Sequence, residues 1–476
     1  MHNKHNRRTF LKVIGAGTLN LYISGCIRRN TGNRGAGTKR PNIILIMADD
    51  LGYGDLSCYG NDYIKTPNID NLAARGVSFT DYHSNGVVCS PTRAALLTGR
   101  YQQRCGIERV VPEFPANPDN YQRNDGLMES ETTIADVLNK HYSTAMFGKW
   151  HLGSSAHFNP TKRGFEKFIG FKSGNIDFFS HVSQEGRHDW WHGCENVREE
   201  GYTDRLLTDY SLKFIEQHKD DPFFLYLPYE IPHYPYQSPG DYDGYQRQEK
   251  PEPRPGNVPK PLGDRQDTDM AIKEMIEELD SYIGEISAKL RQLNIEKNTF
   301  IFFCSDNGAW PLAGAGSNGA LGGIKGEVFE GGHRVPAIAC WPGKIKPGLT
   351  HQTAMSMDVF PTLLSITGIK PSGGLEFDGA DLTPVLFENK HLAPRTLFWR
   401  YADQKAVRKG PWKLIKGIRK NPDTNKLQNE RGDYVSLYNL DHDISESKDI
   451  SAMEPEIVNS LLEELVQWEK DVDSDS

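Results

Sequence analysis

A chain of 476 residues is long enough to bury a large core and to form one large domain with a smaller companion. Its 37% hydrophobic and 25% charged residues and its net charge of -8 suit an ordinary enzyme. They exclude the overall basic field that nucleic acid requires, so an anionic substrate would need a local positive site. Beyond the first residues, no run approaches the ~18 apolar residues of a membrane-spanning helix.

In chain order, the first segment is a leader. Arg7-Arg8 precede a mild apolar stretch, 13–23, that contains Gly15, Gly17 and Asn20, and 1–26 as a whole resembles a bacterial twin-arginine export signal. Ile23-Ser24-Gly25-Cys26 resembles a lipobox, which would make Cys26 a lipid anchor. Ile23 stands where Leu is usual, and cleavage without lipid is the alternative. The expectation is a protein handed to export machinery and placed in the periplasm or on the envelope of a bacterium, with 27–38 as a linker.

Apolar runs at 42–47, 223–227, 299–304 and 335–340 read as strands covered on both faces, and 133–140, 204–218 and 269–293 read as helices. Their alternation predicts an α/β fold with a largely parallel sheet between helices over 39–385. Pro, Gly, Asp and Gln make 236–266 an excursion loop. From 386 to 476 the pattern changes to short aromatic strands, 396–401 and 412–415, and an amphipathic helix, 455–472. This predicts a smaller C-terminal α+β subdomain with an antiparallel sheet. Seven cysteines at 26, 58, 89, 105, 194, 304 and 340 contain no CxxC pair, so neither zinc nor a redox motif is indicated, and no complete disulfide framework is expected. Cys304 and Cys340 sit in apolar runs and read as core residues.

Two of these strands end in oxygen-rich clusters, Met47-Ala48-Asp49-Asp50 and Cys304-Ser305-Asp306-Asn307-Gly308. Each alone could be a helix cap or a turn. Together, at the carboxyl ends of core strands, they point to a hard cation such as Ca²⁺ or Mg²⁺. At Val88-Cys89-Ser90-Pro91-Thr92-Arg93, Pro91 suits the first turn of a helix and Ala94-Ala95-Leu96-Leu97 continues it. Cys89 then sits at the positive helix end, where anions are stabilised. A tyrosine-phosphatase loop would place its arginine where Ala95 stands; here the arginine is Arg93.

Cys89-x-Pro91-x-Arg93 followed by Leu97-Thr98-Gly99-Arg100 resembles the formylglycine site of the type I sulfatases. The resemblance extends, in family order, over Ala48-Asp49-Asp50-Leu51-Gly52-Tyr53-Gly54-Asp55, Thr66-Pro67-Asn68-Ile69-Asp70, Gly148-Lys149-Trp150-His151-Leu152-Gly153, Ser305-Asp306-Asn307-Gly308 and Glu330-Gly331-Gly332-His333-Arg334-Val335-Pro336. It covers the chain from about residue 40 to the end. Cys105 to Val111 and Trp399 to Lys413 look most like sulfatases of the N-acetylgalactosamine-6-sulfatase and arylsulfatase A type.

The resemblance implies an alkaline-phosphatase-like fold and a sulfuric ester hydrolase. It implies that a separate maturase oxidises Cys89 to an aldehyde. One hydroxyl of the hydrated aldehyde attacks sulfur, and the other drives release of sulfate. It further implies that Asp49, Asp50, Asp306 and Asn307 hold Ca²⁺, in preference to Mg²⁺, with residue 89 beside it. Arg93 would orient the nucleophile, Lys149 and Lys325 would bind sulfate, His151 would act as base, and His233 would protonate the leaving oxygen. Lys149 and His151, as alternate residues of an extended segment, are expected to face the same way. Around Lys325 the chain reads Leu321-Gly322-Gly323-Ile324-Lys325-Gly326 where the family has Leu-Arg-Gly-Gly-Lys-Gly.

The substrate reading is a sulfated sugar of a polysaccharide or glycan, to which Trp190 or Trp191 could offer a ring face unless they pack in the core. Two competing readings remain. One is a formylglycine-dependent phosphodiester or phosphonate ester hydrolase; the other is a glycan-binding lipoprotein without catalysis.

Overall fold

The computed structural model describes residues 40–114, 121–242, 244, 246–250, 265, 267–311, 316–371, 373–418 and 434–474. The leader, the linker, Cys26 and most of the loop expected at 236–266 lie outside them.

The strands are β1 (Asn42–Ala48), β2 (Val77–Phe79), β3 (Tyr82–His83), β4 (Ser143–Lys149), β5 (Lys167–Phe171), β6 (Trp191–His192), β7 (Glu195–Asn196) and β8 (Phe223–Pro228). They continue with β9 (Thr299–Ser305), β10 (Ala337–Cys340), β11 (Gly348–Thr350), β12 (Ala354–Met355), β13 (Thr396–Tyr401), β14 (Gln404–Lys409), β15 (Trp412–Lys416) and β16 (Val435–Asn439). The α-helices are α1 (Pro67–Arg75), α2 (Cys89–Thr98), α3 (Ile134–Leu138), α4 (Thr203–Gln217), α5 (Thr268–Gln292), α6 (Glu330–His333), α7 (Val359–Thr367), α8 (Thr383–Glu388) and α9 (Pro455–Ser474).

Among the described residues, ten strands form one sheet in the order β11-β2-β10-β9-β1-β8-β4-β5-β6-β7. Its centre, β9-β1-β8-β4-β5, is parallel throughout. This is the alkaline-phosphatase-like fold. Alternation along β1 shows why the strand is apolar at every position. Ile43, Leu45 and Met47 pack with α2, α3 and α7, whereas Ile44, Ile46 and Ala48 pack with α1, α4 and α5. A sheet buried on both faces needs both sets.

One detail differs from the expected parallel arrangement. The run read as a strand at 335–340 is β10, which runs antiparallel to both β9 and β2. An apolar run reports burial and carries no direction. Cys304 lies in one of the two main cores and Cys340 in the other, and the six described cysteines are free thiols.

The second sheet is antiparallel, β13-β14-β15-β16. It shares a core with α9, through Leu461, Leu465 and Trp468, and with Val87, Ala95 and Tyr101 around α2. The small sheet therefore braces the helix that begins at Cys89.

Candidate active site

All five central parallel strands direct their carboxyl ends toward one cleft, as expected for a sheet of this kind. After β1 come Asp49 and Asp50, and after β9 come Asp306 and Asn307. Lys149 ends β4, with His151 just beyond; His233 follows β8, and Ser173 follows β5. Cys89, His151, His233 and Lys325 line the floor of this cleft, whose volume is about 480 Å³.

Close backbone packing sets these positions. Gly148 has φ +135°, and a Cβ there would lie 2.0 Å from the Pro228 carbonyl oxygen, so only glycine lets β4 approach β8 here. Asp50 (φ 64°) and His151 (φ 53°) both occupy the left-handed region, a conformation that costs energy and is held by its surroundings. For His151 this corrects the expected extended alternation. The chain turns sharply after β4, and it is this turn that brings His151 to the cleft beside Lys149.

Three cations match three carboxylates. Arg93 donates through Nη2 to Asp306 Oδ2 at 2.7 Å and through Nη1 to the Lys149 carbonyl at 3.0 Å. Its Nη2 also lies 3.6 Å from Asp49. Lys149 Nζ donates to Asp49 Oδ2 at 2.5 Å, and Lys325 Nζ donates to Asp50 Oδ1 at 2.6 Å. Cys89 Sγ stands 3.5 Å from Asp49 Oδ1 and 3.6 Å from Lys325 Nζ. Lys325 keeps this place although the residues around it depart from the family pattern.

Burial raises the Cys89 thiol to about 12, against the pull of Lys149 and Lys325, so as a thiol it stays uncharged at neutral pH. Burial raises Asp306 too, with Asp49 adding to it, to about 6. At Asp50 burial is outweighed by Lys325, His233 and Lys149, and the carboxyl falls to about 2. Both histidines are held well below the usual range, chiefly by burial, with Lys149 and Arg93 adding to this at His151 and Asp50 opposing it at His233. His233 Nδ1 faces the Tyr234 carbonyl at 2.7 Å. A carbonyl can only accept, so this nitrogen carries the proton and Nε2, 3.7 Å from Asp50, is the free position.

The donor set fits a hard cation. Asp49, Asp50, Cys89 and His233 present ligand atoms within 4.8 Å of one another. Asn307 adds a side-chain oxygen that is buried and receives no hydrogen bond, while its amide donates to Asp50 Oδ1 at 2.7 Å. A buried, unpartnered acceptor among carboxylates is what a cation ligand looks like in a protein without its ion.

The family model described as Sulfatase matches residues 41–369. The chain belongs to the sulfatase family. It is a sulfuric ester hydrolase. Arylsulfatase A of Bos taurus is 35% identical over 416 residues, covering 79% of this chain and 75% of that protein. N-acetylgalactosamine-6-sulfatase of Mus musculus is 34% identical over 391 residues, covering 78% and 71%. The crystal structure of Ps i-CgsB in complex with k-i-k-neocarrahexaose is similar with a TM-score of 0.75 and 28% identity, over 90% of this chain and 93% of that one.

Sequence reasoning missed the upper walls of this sulfatase's cleft, which include Glu113, Asn175, Gln184, Tyr234 and Trp310. They come from separate loops and carry no motif. Of the two tryptophans considered as sugar platforms, Trp190 is fully buried, stacks on His181 and donates to Glu199. It is a core residue and has no face to offer. Trp191 lies on β6, close to the sheet's far edge, beneath the Lys172 ammonium.

Proposed function

We propose that this sulfatase releases inorganic sulfate from a sulfated sugar of a polysaccharide or glycan, with Cys89 converted to formylglycine and with Ca²⁺ beside it. The observation that carries this reading is the meeting of Cys89, at the N-terminal end of α2, with three carboxylates, two lysines and two histidines at the ends of the parallel strands. Held as an uncharged thiol by burial, Cys89 would be a poor nucleophile in this site without conversion.

Asp49, Asp50, Asp306 and Asn307 would hold the cation, which when bound would offset negative charge on the ester oxygens and acidify the attacking hydroxyl. Lys149 and Lys325, held against Asp49 and Asp50, would bind sulfate in a site where burial strengthens their attraction. Arg93 fixes the carboxylates and the turn after Lys149. His151, whose Nδ1 is buried and unpartnered, is placed to take the proton when residue 89 regenerates. His233 presents Nε2 to the cleft, 3.7 Å from Asp50, and would give a proton to the leaving sugar oxygen once the negative charge of a bound sulfate ester favours its protonated form.

The sugar assignment draws support from two relatives: one named for N-acetylgalactosamine 6-sulfate, the other a structure holding a neocarrahexaose. Export, and placement at the envelope or in the periplasm, rest on the leader sequence alone. The same fold also houses a phosphonate monoester hydrolase of Agrobacterium radiobacter, at a TM-score of 0.60 and 20% identity.

Protein co-produced with a maturase should carry an aldehyde at residue 89, seen by peptide mass. It should also hydrolyse 4-nitrophenyl sulfate faster than bis(4-nitrophenyl) phosphate. An intact thiol in fully active protein, or a preference for the phosphate diester, would overturn the proposal.

A further inference from the structure

The floor of the cleft is cationic, but its walls are not. Among the described residues lining the cleft, Lys325 is the sole lysine or arginine, and the charged side chains of the walls are Glu113 and Glu185. Three other cations lie near these walls without lining the cleft. Arg187 Nε lies 3.8 Å from Glu113 with its guanidinium over the Phe114 ring, and Arg247 donates to Asn175 Oδ1 at 2.6 Å. Lys250 bears on Glu185 electrostatically.

Both acids are built in. The Glu113 side chain is only 6% exposed and accepts from Ser183 Oγ at 3.0 Å. Glu185 Oε2 is buried without a hydrogen-bond partner. Between them, Gln184 Oε1 accepts from Asn175 Nδ2 at 2.9 Å and from the Tyr234 hydroxyl at 2.8 Å, which fixes the amide. Tyr234 and Trp310 form an aromatic pair at the remaining side, ring centroids 5.8 Å apart. Carboxyl oxygens accept hydrogen bonds from hydroxyls, and aromatic rings cover the apolar faces of sugars. Burial raises Glu113 to about 8 and raises Glu185 as well, so the wall offers a second anion no positive partner and repels it once either acid ionises.

We propose that the cleft wall formed by Glu113, Gln184, Glu185, Tyr234 and Trp310 is a specificity subsite that accepts a sugar bearing no anion besides the sulfate being removed. It would thus discriminate against substrates with a second sulfate or a uronate carboxylate near the scissile ester. The proposal rests on the sulfatase reading of the Cys89 floor and names the substrate class that floor serves. Acceptors in the wall would hold neutral hydroxyls, and the positive floor at Lys325 is left for the scissile sulfate.

The test uses two aryl sulfates that differ only in a ring substituent, 4-nitrophenyl sulfate carrying either hydroxymethyl or carboxylate beside the ester. Wild-type kcat/KM should favour the neutral compound by about tenfold or more. The ratio should shrink toward the intrinsic reactivity difference in the Glu113→Gln, Glu185→Gln double variant. Raising the ionic strength should shrink it in the wild type as well, a readout that survives if the variant does not fold. A ratio unmoved by both changes, or a preference for the carboxylate compound, would overturn the subsite. If neither compound is hydrolysed while the phosphate diester is, the failure belongs to the sulfatase chemistry instead.

Discussion

Two clusters of buried charge lie in this molecule, and they are built for opposite ends. The first, around Cys89, lines a cleft and keeps unpartnered atoms such as Asn307 Oδ1 and His151 Nδ1. The second joins Asp81, His83, Glu330, His333, Arg334, Arg408, Lys413 and Glu446, all buried. Lys413 Nζ reaches Glu330 at 2.9 Å and Glu446 at 2.8 Å, and it meets His333 Nε2 at 3.0 Å. Arg408 holds Asp81 with both Nη atoms, at 2.7 and 2.9 Å. Trp399 stacks on His333 and donates to the Ser84 carbonyl.

His83, Glu330 and His333 lie close enough together to hold a metal ion. Lys413 and Arg408 stand where that ion's charge would be, so the cluster is already neutralised by the protein. The difference teaches that similar residue types become a site or a clamp according to what is left unsatisfied. In the first cluster the protein withholds partners that a ligand can supply; in the second it supplies them itself, with Arg408 and Lys413 coming from the small sheet.

The sharpest break of this comparison is Cys89→Ala. Turnover of an aryl sulfate should fall by about 10⁴-fold or more, with thermal stability close to wild type. Normal turnover would refute the nucleophile. Calcium chelation should come next, giving loss of activity that Ca²⁺ restores, together with a lowered Tm, since an ion bound only to the native state stabilises it. Asp306→Ala should lower bound calcium measured by atomic emission; unchanged metal content would remove Asp306 from the ligand set.

In the clamp the balance reverses. Lys413→Met leaves Glu330 and Glu446 facing each other in the core and should cost about 3–5 kcal/mol in denaturant titrations. The folded fraction should keep most of its kcat.

The smallest effect is one of pH. Burial raises Asp204, which accepts from the Glu230 and Ile231 amides ahead of His233, to about 7. A raised folded-state pKa means that this group's contribution is fully present below its unfolded pKa, about 3.9, and is lost as pH rises through about 7. Asp204→Asn should flatten that part of the stability profile, measured as Tm against pH; an unchanged slope would exclude the linkage.

The two clusters were also unequally legible in the sequence. The first lies at strand ends, where apolar runs stop abruptly at Asp49-Asp50 and Asp306-Asn307, so chemistry and position coincide. Glu330-Gly331-Gly332-His333-Arg334 was equally visible as a motif, but its partners Arg408, Lys413 and Glu446 are remote in sequence and no local pattern ties them to it. The cleft walls were invisible for a related reason. Glu113, Gln184 and Trp310 sit in loops, where neither periodicity nor capping constrains a residue. The layered fold was readable because burial on both faces imposes a continuous apolar run. The direction of β10 was not, because that signal is the same for either orientation.

The bracing of α2 by the small sheet also fixes an order of events. Every residue from Cys89 to Thr98 is buried, including Pro91 and Arg93 of the modification motif. An enzyme that reads these three side chains cannot reach them in the finished molecule. The conversion proposed for Cys89 would therefore have to happen while the chain is still open, before the last strands, from β13 onward, have closed over the helix. Those strands follow residue 89 by some 300 positions in the chain. Synthesis itself would supply such an interval, in which the motif has been made and the strands over it have not.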